Sequence, residues 1–122
     1  MSRVKGGGHT RRTHKKLLKG AKGHYGRRNN TIRMGKQSAE KALQYAYAHR
    51  RRKKREFRAV WIQRINAAAR MNGLTYSELM HGLKLAGVEL DRKVLSAIAY
   101  DSPKDFEGIA KQASDALKKK AA

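Results

Sequence analysis

The apolar positions of this chain are dense and regularly spaced only in its second half. Their intervals of three and four residues are those of one helix face. The clearest such stripe comprises Phe106, Ile109, Ala110, Ala113 and Leu117. No alternating pattern of useful strand length occurs, so the spacing predicts a small all-helical bundle over residues 59–122.

The ends of the predicted helices carry local signals. Gly73 suits a left-handed helix cap. Thr75 and Glu78 have the spacing of a capping box, and Asp91 is a typical N-cap. Pro103 stands at the preferred first position of the last helix. These signals divide the bundle into the end of one long helix and three short helices.

The same spacing predicts which side chains form the core of the bundle. The predicted core positions at the end of the long helix are Val60, Trp61, Ile65, Ala68 and Ala69. In the helix capped by Asp91 they are Val94 and Ile98.

The first half of the chain has few apolar residues but strong helix formers. Residues 31–72 contain no proline and only Gly35 near the start, which predicts one helix of about 60 Å. Residues 10–19 suit a short helix, and residues 1–9 a glycine-rich tail that only a partner would order. The predicted fold is therefore all-α, with a long basic N-terminal helical extension and a small C-terminal helical bundle.

Charge is distributed very unevenly. Residues 1–58 hold 20 of the 30 Lys and Arg residues and only two acids, so 20 − 2 = +18 of the total charge of +21. We call residues 1–58 the basic arm and residues 59–122 the globule, and predict that they are separate domains. A segment this basic cannot build a core alone and requires a dense polyanion, which nucleic acid supplies.

The arm contains a helical stretch with no face for a protein core. Residues 49–55 are all His, Arg or Lys and span nearly two turns at about 100° per residue. Tyr25, Tyr45, Tyr47 and Phe57 are interleaved with the bases and suit stacking on nucleobases, although each is equally suited to packing on neighbouring helix turns. The predicted RNA contacts are Arg3, Lys5, Arg11, Arg12, Lys15, Lys16, Lys19, Lys22, Tyr25, Arg27, Arg28, Arg33, Arg50, Arg51, Arg52, Lys53, Lys54, Arg55 and Arg58.

Other classes of function find little support. The chain has no cysteine, its five histidines show no metal-binding spacing, and Glu78, Asp91 and Asp105 are explained as capping groups. We therefore expect no enzyme, no metal, no cofactor and no small-molecule substrate. No membrane span or signal peptide is evident, so we expect a cytosolic protein.

Two alternatives remain beside RNA binding. A nucleoid-type, non-specific DNA-binding protein would have similar charge, because electrostatics does not separate RNA from DNA. The chain shows no signals of a dimer or of a recognition helix, which such a protein would need. A membrane-surface peptide would need a broad apolar face that the arm lacks.

Several segments resemble one known family over essentially the whole chain. They are Arg3–Gly7, Lys19–Arg28, Tyr45–Tyr47, Arg58–Ala68 and Leu74–Ser77. In this combination they are similar to the bacterial and organellar large-subunit ribosomal proteins of the L-twenty family. Residues 102–122 are the divergent stretch.

The resemblance implies a basic helical extension, a C-terminal all-α domain and no catalytic role. It implies direct binding to 23S rRNA early in assembly of the large subunit, beside neighbouring large-subunit ribosomal proteins. Some relatives also bind their own mRNA through the C-terminal domain. The implied location is the ribosome in the cytoplasm of a bacterium, with a plastid origin left open.

Overall fold

The described part of the chain, residues 5–121 of a computed structural model, is helical with short connections and contains no strand. The predicted all-α fold is confirmed, including the long helix. The α-helices in chain order are α1 (Gly7–Lys19), α2 (Ile32–Met71), α3 (Tyr76–Leu85), α4 (Arg92–Asp101) and α5 (Pro103–Ala121), and a 3₁₀ helix at Gly26–Asn29 precedes α2.

The first helix starts earlier than the sequence predicts. It begins at Gly7 instead of Thr10, so residues 7–9 are not part of a tail, and residues 1–4 lie outside the described range. Gly6 has a φ of 82°, and its carbonyl accepts hydrogen bonds from the backbone N–H groups of His9 and Thr10. This bonding extends the helix through glycines whose intrinsic preference opposes it.

The chain divides into two compact units, the first ending at Arg52 and the second beginning at Lys53, with α2 running through both. In the first unit, α1 and the following turn pack on the start of α2. Ala21 is fully buried, and a β-carbon at Gly35 would lie 2.5 Å from Leu18 Cδ2 and 2.9 Å from the Arg28 carbonyl oxygen. Glycine at this position permits the close approach.

In the second unit, the end of α2 and helices α3–α5 share one apolar core. Its buried members are Ile65, Ala69, Leu79, Leu83, Leu95, Phe106, Ala110 and Ala113. Burial of this apolar surface is the main favourable contribution to folding of the unit. The predicted stripe on α5 is confirmed, since Phe106, Ala110 and Ala113 are buried and Ile109 packs against the core.

Three predicted core positions lie outside the core: Trp61 is half-buried and does not pack against it, and the two valines are exposed. Val60 and Val94 are 40% and 44% exposed. Val60 precedes Ile65 by five residues, which places it about 140° around the helix from that buried side chain. On α4 the buried face is centred on Leu95, and its neighbour Val94 therefore points away from the core.

The predicted caps are confirmed. Glu78 Oε2 accepts hydrogen bonds from the Thr75 backbone N–H at 2.8 Å and from its hydroxyl at 2.9 Å. The Glu78 backbone N–H donates to Thr75 Oγ1 at 3.3 Å. The bond from the Thr75 backbone, with a further one from its side chain, lowers the pKa of Glu78 below its ordinary value. Asp91 caps α4, and Gly73 has a φ of 75°.

Candidate nucleic-acid interface

All predicted contact residues within the described range are exposed, so each can reach a ligand in solvent. Arg3 lies outside that range. Lys5 precedes α1, five of the residues lie on α1, four in the turn that follows, and eight on α2. The surface of the first unit is thus strongly cationic on both of its helices.

The turn between α1 and α2 is shaped by glycine. Gly23 and Gly26 have φ values of 86° and 63°, a backbone conformation that other residues rarely adopt. His24 Nδ1 and Ser38 Oγ are hydrogen-bonded at 2.5 Å, which ties the turn to α2. Arg27 Nε donates to Thr31 Oγ1 at 3.3 Å, so this guanidinium is partly oriented before any ligand binds.

The cationic run of α2 is helical throughout and exposed on every side. The Arg51 guanidinium lies 3.8 Å from the centre of the Tyr47 ring, and its Nη1 donates to the Tyr47 carbonyl at 3.4 Å. In the second unit, Lys53 Nζ lies 5.7 Å from the centre of the Phe57 ring. Aromatic rings along the helix therefore orient cations without removing their charge.

A groove in the first unit was not predicted from the sequence. It has a volume of about 470 Å³ and lies between the turn and one face of α2. Its lining residues are His24, Tyr25, Arg28, Met34, Gln37, Ser38, Lys41, Ala42 and Tyr45. The α2 members are spaced by one, three or four residues, a signal that marks one helix face. Only the folded structure shows that the turn lies over this face of α2.

Few carboxylates oppose the cations of the arm. Its acids are Glu40 and Glu56, and Glu40 Oε1 lies 3.9 Å from Lys36 Nζ. The net positive field attracts polyanions, and binding would release the counterions that phosphates condense.

Neither a metal centre nor a membrane helix is present in residues 5–121. No three His, Cys, Asp or Glu side chains of that range are placed to share a metal ion. None of its helices combines the length and apolar character needed to cross a bilayer.

Comparison with known proteins connects this surface to one family. Residues 3–109 match the family described as Ribosomal protein L20. A protein of Sphingopyxis alaskensis named "Large ribosomal subunit protein bL20" is 60% identical over 121 residues, covering 99% of this chain and all of the relative. A protein of the same name from Rhizorhabdus wittichii is 62% identical over 117 residues, covering 96% and 94% of the two chains.

A third relative, from Pelagibacter ubique, carries the same name and is 56% identical over 96% of this chain and 99% of its own length. The matches therefore extend over the arm and the globule alike. The chain belongs to the ribosomal protein L20 family.

Proposed function

We propose that the protein is a structural component of the large ribosomal subunit that binds 23S rRNA directly through its basic arm and acts early in subunit assembly. The family is structural and not enzymatic. The matched relatives are named as proteins of the large ribosomal subunit, and the proposed location of this protein is the ribosome in the cytoplasm. Neighbouring large-subunit ribosomal proteins and rRNA are the proposed partners.

The six consecutive cations Arg50–Arg55 are the observation that carries this proposal. They are exposed around the full circumference of α2 and belong to no core. A surface of this kind suits a polyanion that approaches from several sides, as phosphates do where helices of folded rRNA converge. Arginine adds forked hydrogen bonds to phosphate oxygens, which lysine lacks.

The test is the salt dependence of binding. Replacing Arg50, Arg51 and Arg52 with alanine should weaken binding to 23S rRNA. It should also reduce the slope of log K against log salt by roughly 0.7 to 0.9 for each lost phosphate contact. The matched control replaces Lys118, Lys119 and Lys120, which removes the same charge from the end of α5 and should change the slope less. Equal slopes for the two variants would contradict the proposal.

Two further possibilities are separated by competition. A nucleoid-type DNA-binding protein would lose rRNA to excess duplex DNA at equal salt, because its binding is electrostatic. Binding of this protein to its own mRNA, a property that the resemblance attributes to some relatives only, is tested by adding that transcript as a competitor. Displacement by this transcript but not by an unrelated RNA would establish the additional activity.

A further inference from the structure

Tyr25 lies in a turn with a well-defined backbone, but its side chain is not packed into the fold. It is 94% exposed, although it lies in a turn fixed by the left-handed conformations of Gly23 and Gly26. Its neighbour His24 is bonded to Ser38 of α2 at 2.5 Å, which holds this part of the turn in place. An aromatic ring normally stabilises a fold by burial. Here the turn fixes the backbone position of Tyr25, and the ring is left open to solvent.

The groove beside Tyr25 offers polar atoms for the edge of a planar ligand. The Gln37 amide forms no hydrogen bond with any other described residue, so its donors and its acceptor are available. Met34 and Ala42 supply apolar surface to the same groove. Its volume of about 470 Å³ lies within the range of roughly 300–1,000 Å³ that is usual for small-ligand sites.

The charge of the groove favours an anion. Arg28 and Lys41 are among its lining residues, and no carboxylate is. Lys41 Nζ lies 4.8 Å from the centre of the Tyr45 ring, and Tyr45 also stacks on His49 with ring centres 5.5 Å apart. These contacts orient the Tyr45 ring and the Lys41 ammonium group, which both line the groove.

We propose that this groove holds one unpaired nucleotide of the rRNA, with its base stacked on Tyr25. The base edge meets Gln37, and the phosphates of the same or the next nucleotide meet Arg28 and Lys41. Recognition of single-stranded RNA commonly combines a stacked base with hydrogen bonds to its edge. The inference rests on the proposed rRNA binding and adds a base-contacting site to a surface that otherwise contacts phosphates.

The experiment measures binding of the full-length chain to 23S rRNA over a range of salt concentrations. Tyr25→Ala should weaken binding by about 5- to 150-fold, the value of one base–aromatic stack. The salt slope should stay as in the wild type, because stacking releases no counterions. Tyr25→Trp should restore the affinity. The control is Tyr100→Ala, which removes a 73% exposed tyrosine from the second unit and should leave the affinity unchanged.

The outcomes separate this inference from the proposed function. If the wild-type chain does not bind 23S rRNA, the proposed function fails. If the wild type binds and Tyr25→Ala binds equally well, only the groove inference fails. A reduced salt slope in Tyr25→Ala would also overturn it, because the effect would then come from lost phosphate contacts. Displacement of the rRNA by an excess of nucleoside monophosphates would assign the groove to free nucleotides instead.

Discussion

Gly82 and Gly108 are both helical glycines of the second unit, but a β-carbon would meet very different surroundings at the two positions. At Gly82 it would lie 2.5 Å from the carbonyl oxygen of Ala113 and 2.9 Å from its carbonyl carbon. At Gly108 it would have no neighbour within 4 Å. The contact at Gly82 is with backbone, which cannot rotate away, so α3 and α5 would have to separate.

We predict that Gly82→Ala lowers the free energy of unfolding by about 1–3 kcal/mol, as overpacking of a core does. Gly108→Ala is the matched control and should raise it by roughly 0.5–1 kcal/mol, because alanine is the better helix former. Urea denaturation of the full-length variants, followed by circular dichroism, measures both. A Gly82→Ala variant as stable as the wild type would mean that α3 and α5 have room for a β-carbon where they cross, which would contradict the prediction.

At the scale of single residues, the sequence predicts helix caps better than it predicts core positions. The Thr75 and Glu78 capping box depends on residues three apart, so local sequence is sufficient to identify it. Val60 and Val94 were placed wrongly because the buried face of a helix is set by its partner helices. The groove beside Tyr25 was missed for a related reason, since it requires the turn to fold onto α2.

Among the helices, α2 is unusual because residues 50–55 in its middle are all Lys or Arg and none of them packs on an apolar core. Like charges at i,i+4 destabilise a helix by a few tenths of a kcal/mol per pair. Packing, which contributes most helical stability in proteins, is absent there. Its C-terminal part differs, because Ile65 and Ala69 are fully buried.

We therefore predict that the backbone amides of residues 50–58 exchange with solvent faster than those of residues 62–71 in the free protein. Phosphates should neutralise the cations, so exchange at residues 50–58 should slow when rRNA binds. Hydrogen exchange with mass spectrometry measures both states, and residues 62–71 serve as the internal control. Equal protection of the two stretches in the free protein would refute the idea that the charged helix needs its ligand.

The bounds of α2 were predictable from the sequence to within a residue at each end, because proline is absent and good helix formers continue without interruption. The start of α1 was not predictable in this way. Glycine has a low helix propensity, so the sequence disfavours a helix at Gly7 and Gly8. The hydrogen bonds to the Gly6 carbonyl, which extend the helix there, are visible only in the structure.

For the whole molecule, the proposed division into basic arm and globule makes a separate prediction. Every residue of the apolar core of the second unit lies at or beyond Ile65, so removing residues 1–58 removes none of that core. The remaining chain should stay helical and unfold cooperatively, although a globule of this size is only marginally stable. Circular dichroism over a thermal ramp measures this. An unfolded fragment would show that the domain boundary lies earlier in the chain.

The most direct test of the account is a salt-titrated competition for the full-length protein. Labelled 23S rRNA is bound and then challenged with excess duplex DNA or an unrelated structured RNA. We predict that binding survives both competitors with one protein per rRNA, because the proposed interface contacts an unpaired base as well as phosphates. Equal displacement by either competitor would contradict this account and leave only a generic polycation.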